Sequence, residues 1–185
     1  MEAAVRPLTL EDLPLDALKG FHRCQVTRQV KYLVQGEYKI KDDYFVDEWT
    51  EAQKLRAVQD LRRCLEQGGF VAGAIVGGTL VGFANVENTP LGSRKQYLEL
   101  RYIHVSREYR GQGLGRQLFR LCCEGARQRG AEKLYIGAHP AVETQAFYAA
   151  LGCVLAEEVV PEILALEPRD LQLEYILHGG NNEVN

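Results

Sequence analysis

The sequence lacks the long apolar runs that a membrane span or a secretion signal requires. Its first ten residues carry Glu2 and Arg6 without an apolar core, and no later stretch approaches the length of a bilayer crossing. The five cysteines are odd in number and have no short paired spacing, which is typical of reduced thiols. From these absences we expect a cytoplasmic protein without a membrane partner.

An excess of positive charge is absent as well. The formal net charge is -3, and the 22 lysines and arginines are dispersed among 25 acidic residues. Nucleic acid is therefore not an expected partner. The length of 185 residues and the hydrophobic content of 46% are those of one ordinary globular domain with a sizeable core.

Signatures of metal and acyl-enzyme chemistry are also missing. No His-Glu-x-x-His motif occurs, and the four histidines show no ligand spacing, so we expect no metal site; they are His22, His104, His139 and His178. We interpret His104 as a packed strand residue. His139 is interpreted as a residue on the loop surface, and a position beside the substrate is the alternative. No Gly-x-Ser-x-Gly elbow occurs, which favours direct attack over a covalent intermediate.

A glycine-rich loop is the most informative feature that the sequence does contain. Arg110–Gly115 follows the strand-like run Tyr97–Val105 and leads into a helical pattern over Leu114–Gln128. Glycines permit close backbone approach, and the first turn of a helix offers unpaired N–H groups, so this loop is a candidate phosphate cradle. A simple connecting turn is the alternative. The dinucleotide and NTPase loop motifs both fit poorly.

The wider stretch Leu98–Gly152 resembles the GNAT superfamily of acyl-CoA-dependent N-acyltransferases. Arg110, Gly113 and Gly115 fill the family pattern of Gln or Arg, two residues, Gly, one residue, Gly or Ala, and Phe147 and Tyr148 match its Phe-Tyr ending before Gly152. The resemblance implies an α/β fold with a mixed, mostly antiparallel central sheet, flanked by helices and splayed at the cofactor cleft. It also implies acetyl-CoA as the cosubstrate, and homodimers are common in the family.

The resemblance assigns a cofactor-binding set in which backbone amides of the signature strand and the loop hold acetyl-CoA. Its members are Ile103, His104, Val105, Arg110, Gly111, Gln112, Gly113, Leu114, Gly115 and Arg116. Within this set the amides of Ile103 and Val105 would hold the thioester carbonyl, while Arg110 supports the loop in an alternative interpretation. Ala141 and Cys153 depart from the usual family residues, which alters the expected pantetheine contacts and packing.

Two catalytic candidates follow from the same resemblance. Tyr148 is the expected acid for the departing thiolate, since a phenol and a thiol have similar unperturbed pKa values; simple aromatic packing is the alternative. Glu99 is the expected base, and strand alternation predicts that it shares a face with Ile103 and Val105. An edge carboxylate paired with Arg101 or a neighbouring residue is the alternative for Glu99.

Periodicity predicts the order of helices and strands along the chain. We expect a strand near Val5–Leu8, a helix from Thr9 or Asp12 toward Val30, and a loop with one short helix between residues 31 and 48. The later predicted elements are a capped helix over 52–65, hairpin strands at 70–76 and 79–87, strands at 97–105 and 133–138, helices at 114–128 and 143–150, and strands at 153–160 and 171–177. Neighbours in a helix project about 100° apart, which predicts one buried and one exposed thiol at Cys122 and Cys123.

These elements predict one domain over residues 1–178, with acceptor-side helices and a loop over about 1–68, an acetyl-CoA-binding core over about 96–152 and a flexible tail over 179–185. Five aromatic residues are candidates for the acceptor wall: Tyr32, Tyr38, Tyr44, Phe45 and Trp49. The nearby acidic cluster either attracts a cationic amine or forms a solvated face; it comprises Glu37, Asp42, Asp43, Asp47 and Glu48. The expected function is transfer of an acetyl group to a primary amine of a small molecule or a peptide N-terminus. A CoA-responsive binding module without turnover is the alternative.

Overall fold

The computed structural model describes residues 3–177 and contains nine strands and four α-helices within that range. The strands are β1 Ala4–Pro7, β2 Cys24–Val34, β3 Glu37–Glu48, β4 Phe70–Val76, β5 Thr79–Val86, β6 Tyr97–Val105, β7 Lys133–Ala138, β8 Val154–Leu155 and β9 Leu171–Ile176. The α-helices are α1 Glu51–Glu66, α2 Leu114–Gln128, α3 Val142–Ala150 and α4 Pro161–Leu166. The predicted flexible tail lies outside the described residues.

Seven strands form one mixed sheet in the order β1-β4-β5-β6-β7-β9-β8. All neighbours run antiparallel except β6 and β7, which pair in parallel. This parallel pairing covers only Tyr97–Glu99 of β6, and beyond it β6 stays with β5 while β7 stays with β9. The predicted fold class, including the splayed sheet, is confirmed.

The helices and turns with strong local signals lie where the sequence predicts them. Thr50 and Gln53 form the capping box of α1, and α2 begins and ends at the predicted residues. Gly77 and Gly78 both have positive φ, at 56° and 82°, and join β4 to β5 as a two-residue hairpin. Each of these signals acts within a few residues, so the local conformation does not depend strongly on tertiary packing.

The predicted helix toward Val30 and the predicted loop over 31–48 are wrong. Short turns follow Pro14, and the chain then forms the antiparallel ribbon β2–β3, whose strands are joined at Gln35 and Gly36 with φ of 51° and 81°. Pro14 cannot continue a helix, and β-branched residues recur along β2. Charged and apolar residues occupy both faces of β3, which hides the alternation of a strand.

The end of the chain also differs from the prediction in one segment. The expected strand over 153–160 is reduced to β8, and α4 follows with Pro161 at its first turn. The predicted strand over 171–177 is confirmed as β9. Short elements such as α4 leave little periodic signal because they span fewer than two turns.

The prediction for the paired cysteines is wrong, because both thiols are buried. Cys122 is 0% exposed and Cys123 is 4% exposed. α2 packs against five strands of the sheet, and both thiols lie in the apolar cluster formed there, against which Tyr175 of β9 also packs. A helix that packs across five strands thus buries a wider stripe than its own periodicity indicates.

A β-bulge at Arg101 reverses the predicted faces of β6. Tyr102 pairs with Asn85 and Leu100 pairs with Val86, so Arg101 has no partner on β5. Ile103 packs in the cluster of Leu98 and Leu100 on the α2 side, whereas Tyr102 packs toward α1. The prediction that Glu99 shares a face with Ile103 and Val105 is therefore wrong.

No helix among residues 3–177 has the length and apolar character needed to cross a membrane.

Candidate active site

A cavity of about 650 Å³, here called the loop cavity, lies beside the glycine-rich loop at the start of α2. The gap where β6 and β7 separate opens toward this side of the sheet. Nine of the ten residues predicted to bind the cofactor line the loop cavity: Ile103, His104, Val105, Arg110, Gly111, Gly113, Leu114, Gly115 and Arg116. Gln112 is exposed and does not line it, since its side chain turns toward the carbonyl of Glu108.

The loop has the backbone conformation that only glycine adopts easily. Gly111 has φ of 76°, and Gly113 has φ of 79° at the N-cap of α2. Arg110 Nε donates a hydrogen bond of 2.9 Å to the carbonyl of Val105, which ties the loop to the end of β6. The first N–H groups of α2 therefore face a cavity that is shaped by glycine, as an anion site requires.

The backbone amides of Ile103 and Val105 point into the gap of the sheet. The amide of Ser106 donates to Val81 on one side, at 2.8 Å, and the amide of Tyr102 donates to Asn85 Oδ1 on the same side, at 3.0 Å. Amide direction alternates along a strand, so Ile103 and Val105 direct theirs away from β5. Donors that no neighbouring strand uses are thus directed toward the loop cavity.

A second cavity of about 600 Å³, here called the ribbon cavity, lies between β6, β7 and the β2–β3 ribbon. Phe45 and Trp49 are the only members of the predicted aromatic set that line it, together with Asp47 and Glu48 of the acidic cluster. Six residues line both cavities and mark where they meet: Arg23, Gln25, Ile103, His104, Thr144 and Tyr148.

Tyr148 is buried at the junction of the two cavities. It is 5% exposed, and its hydroxyl has no hydrogen-bond partner among residues 3–177. Burial is the main reason why the pKa of Tyr148 lies far above its ordinary value, so the phenol keeps its proton at neutral pH. A protonated donor that faces both cavities is suited to stabilise a negative charge that develops between them.

Arg23 and His104 complete the junction, and Arg23 belongs to no sequence motif. Arg23 is 9% exposed, its Nε has no partner in the described part of the chain, and its guanidinium lies 5.8 Å from the ring of Trp49. His104 contacts Trp49 edge-on at 4.9 Å between ring centroids. Burial, followed by the charges of Arg23 and Arg110, holds the pKa of His104 well below its ordinary value, so His104 is neutral.

Glu99 lies at the start of the splay but lines neither cavity. Burial is the main reason why its pKa is raised to about 7, and the charge of Arg101 partly opposes this. The alternative pairing with Arg101 is not formed, because Arg101 instead lies 3.6 Å from a carboxylate oxygen of Asp60. Glu99 is thus a half-buried carboxyl group that titrates near neutral pH.

Asp170, which the sequence did not single out, lines the ribbon cavity just before β9. Burial, together with the negative charges of Glu167 and Asp47, raises its pKa to about 7. It lies 22 residues after Tyr148 in a turn without a motif. Only the antiparallel pairing of β9 with β7 brings it to the cavity, and no local pattern could have indicated this.

His139 lines the ribbon cavity rather than an open loop surface. Its Nε2 lies 3.0 Å from a carboxylate oxygen of Asp47, and its ring packs 5.7 Å from that of Phe45. Within residues 3–177, no group of three or more His, Cys, Asp and Glu side chains is arranged to hold a metal ion.

The cysteines do not contribute to either cavity. All five are free thiols, and none lines the loop cavity or the ribbon cavity. Burial raises the pKa of Cys153 and of Cys123 to about 12, and that of Cys64 to about 11. Thiols in this state are poor nucleophiles, because the thiolate is the reactive form.

Comparison with known protein families gives one match to this fold and loop. Residues 35–153 match the model of the acetyltransferase (GNAT) family. This range contains the glycine-rich loop, Glu99 and Tyr148. No curated protein sequence matches the chain.

Solved structures with the same fold include several acetyltransferases. Nourseothricin acetyltransferase is 18% identical with a TM-score of 0.68, and the match covers 96% of this chain and 99% of that one. A putative streptothricin acetyltransferase from Bacillus anthracis in complex with acetyl coenzyme A is 16% identical with a TM-score of 0.69, over 97% and 99% of the two chains. The PaiA N-acetyltransferase from Thermoplasma acidophilum in complex with coenzyme A is 14% identical with a TM-score of 0.59, over 95% and 99%.

Proposed function

Because the chain belongs to the acetyltransferase (GNAT) family, and is therefore an acyltransferase, we propose that it moves an acetyl group from acetyl-CoA to a primary amine. The amine belongs to a small molecule or to a peptide N-terminus. The observation that carries this proposal is the position of Tyr148 between a cavity beside a glycine-rich helix start and a second cavity lined by carboxylates.

Acetyl-CoA fits the loop cavity by its chemistry. Similar structures were solved with acetyl coenzyme A and with coenzyme A, and the anionic pyrophosphate suits the free N–H groups at the start of α2. Arg110 and Arg116 line the same cavity and add positive charge. The binding set is thus the nine lining residues, with Gln112 contributing at most its backbone amide.

The remaining steps use groups at the junction. The amides of Ile103 and Val105 would bind the thioester carbonyl, where negative charge develops as the amine attacks. Tyr148 would then donate a hydrogen bond and its proton to the departing thiolate. Its raised pKa makes full proton transfer uphill in the free enzyme, so much of its contribution is the hydrogen bond to sulfur.

Glu99 is the base that the family resemblance assigns. Its pKa of about 7 is close to the value that favours proton transfer at neutral pH. Since Glu99 lines neither cavity, it would act through water. Replacement by Gln should remove the acid limb of the pH–rate profile if this assignment is correct, and a retained limb would reject it.

The parts of the chain divide between the two substrates in this proposal. Residues 1–178 form one domain, in which 1–68 supply the acceptor wall and 96–152 supply the acetyl-CoA core. Phe45, Asp47 and Trp49 from the first region line the ribbon cavity, which supports that division. We also propose a homodimer in the cytoplasm, in accordance with the free thiols; sedimentation velocity at micromolar concentration measures the oligomeric state.

A panel of amines separates turnover from mere binding. Calorimetric titration with acetyl-CoA should show binding at one site. Release of free thiol should then require a primary amine from a panel that contains small diamines, amino sugars and short peptides. Binding without thiol release from any of them would favour the alternative, a CoA-responsive module.

A further inference from the structure

We propose that Asp170 binds the ammonium group of the acceptor in the ribbon cavity and accepts the proton that must leave nitrogen before it can attack. This inference rests on the proposed acetyl transfer and adds a catalytic residue that neither the loop motif nor the Phe-Tyr motif contains. Asp170 and Tyr148 line the same cavity from opposite elements, the segment before β9 and helix α3.

The carboxylate of Asp170 is free to receive a cation. It has no hydrogen bond or ion pair within residues 3–177. The adjacent Arg169 forms no ion pair with it, because that guanidinium donates to Asp43 at 2.5 Å and lies 4.8 Å from the ring of Phe45. A half-buried carboxylate without a partner is costly, and a bound ammonium would offset that cost.

The backbone holds the side chain in place. The amide of Asp170 donates to the carbonyl of Glu167 at 3.0 Å, and its carbonyl accepts from Gln172 Nε2 at 3.1 Å. Both peptide groups are thus satisfied, and the carboxylate alone remains for a ligand. A fixed acceptor is better suited to orient an amine than one on a mobile loop.

Gly137 on β7 leaves room beside this carboxylate. A methyl group at Gly137 would stand 3.9 Å from Asp170 Oδ2 and 3.3 Å from Ile163, and Gly137 itself lines the ribbon cavity. The absence of a side chain at Gly137 therefore keeps this side of the Asp170 carboxylate open, since even a methyl group would press against Ile163.

The surrounding charges suit proton transfer at neutral pH. Burial, followed by the carboxylates of Glu167 and Asp47, raises the pKa of Asp170 to about 7, while the charge of Arg169 partly opposes them. From α3, Tyr148 faces the same space and remains neutral. Asp170 can thus hold a proton at the working pH and release it to solvent after each turnover.

The protons and bonds balance in the following sequence. The ammonium R–NH3⁺ gives one proton to the Asp170 carboxylate, and the resulting amine attacks the thioester carbon. The C–N bond forms, the C–S bond breaks, and Tyr148 gives its proton to sulfur. The nitrogen of the new amide loses its second proton to the tyrosinate, and Asp170 returns its own proton to water.

Paired variants at Asp170 and Glu167 test this role, and an acid limb that is retained in Glu99→Gln would separate it from the base assigned from the family. With the most reactive amine of the panel, Asp170→Asn should lower kcat/KM by about 100-fold or more and remove the acid limb near pH 7. Glu167→Gln removes a charge from the same cavity but should keep the limb and move it to lower pH, since one source of the raised pKa is gone. An acid limb that persists in Asp170→Asn would overturn the proposal.

A readout without turnover keeps the proposal falsifiable if no amine reacts. In protein labelled with ¹³C at aspartate carboxyl carbons, the resonance lost in Asp170→Asn should titrate near pH 7, and n-butylamine added with CoA should lower that midpoint. A midpoint below pH 5, or one that n-butylamine does not move, would overturn the role of Asp170. Failure of the proposed function would instead appear as absent thiol release from the amine panel with the wild-type protein.

Discussion

Tyr148 is the residue on which the proposed chemistry depends most, because its unpartnered hydroxyl lies where the two cavities meet. Tyr148→Phe should lower kcat by about 100-fold or more, the usual effect of removing a positioned proton donor, while acetyl-CoA binding survives. Stopped-flow detection of free thiol measures the first quantity and calorimetry the second.

Tyr175→Phe is the matched control for this change. Tyr175 packs edge-on against Phe119 of α2, at 5.1 Å between ring centroids, and lines neither cavity. The Tyr175→Phe variant also loses a phenol hydroxyl from a half-buried position, and its kcat should stay at the wild-type value. Equal kcat values for the two variants would reject the catalytic role of Tyr148.

Glu99 makes the stability of the protein depend on pH. Its pKa is about 7 in the folded state and near 4.5 when unfolded, so the folded state binds more protons between these values and loses stability as pH rises through them. Glu99→Gln removes the buried charge, so at pH 8 its free energy of unfolding should be about 1 to 3 kcal/mol higher than that of the wild type. Urea unfolding at pH 5 should show little difference, and a gap that is the same at both pH values would contradict the burial of this charge.

At the scale of single residues, sequence reasoning identified groups that belong to motifs and missed those that do not. Tyr148 lies in a motif, and the fold places it at the junction. Arg23 lies at the junction and Asp170 lines the ribbon cavity, and both come from segments without any motif, so only the tertiary structure reveals them. The predicted assignment of β6 residues to faces is wrong because a bulge at Arg101 shifts the alternation, and no sequence motif indicates this bulge.

Among the elements, the loop before α2 depends on glycine for its shape. Gly113→Ala forces a side chain into a left-handed conformation at φ of 79°, which costs about 1 to 2 kcal/mol and changes the N-cap of α2. The affinity for acetyl-CoA, measured by calorimetry, should fall by about tenfold or more.

Gly78→Ala supplies the control for Gly113→Ala. Gly78 has a nearly equal φ of 82° and open space around it, but it lies in the β4–β5 hairpin and lines neither cavity. Both variants should lose thermal stability, whereas only Gly113→Ala should lose acetyl-CoA affinity. A similar loss of affinity in both would mean that the loop has no special contact with the cosubstrate.

Elements with short-range signals were predictable, and the exposed ribbon was not. α1 carries its own capping box, and β4–β5 carries a Gly-Gly turn, so local chemistry specifies both. The ribbon β2–β3 has exposed apolar residues on its outer face, such as Ile40 at 55% and Tyr44 at 67%. The two faces of the ribbon therefore do not differ clearly in polarity, and the sequence lacks the alternation of apolar and polar residues that indicates a strand.

For the whole molecule, the sheet order brings together groups that are distant in the chain. Separation of β6 from β7 opens the gap above Glu99, α2 presents its N-terminus to one side, and the ribbon covers the other. The fold class follows from the order of strands and helices together with the family resemblance. The structure of the ribbon cavity does not follow from them, because the ribbon and the turn before β9 build it. The sequence predicts a loop for most of the ribbon and no regular element for this turn.

Direct transfer from acetyl-CoA to the amine is tested by a single-turnover experiment with radiolabelled acetyl-CoA and enzyme in excess. After rapid quenching, the label should pass from acetyl-CoA to the amine without appearing on the protein, since none of the five thiols lines either cavity. Label on the protein before it reaches the amine, or label that stays on CoA with every amine of the panel, would contradict the proposed transfer between the two cavities.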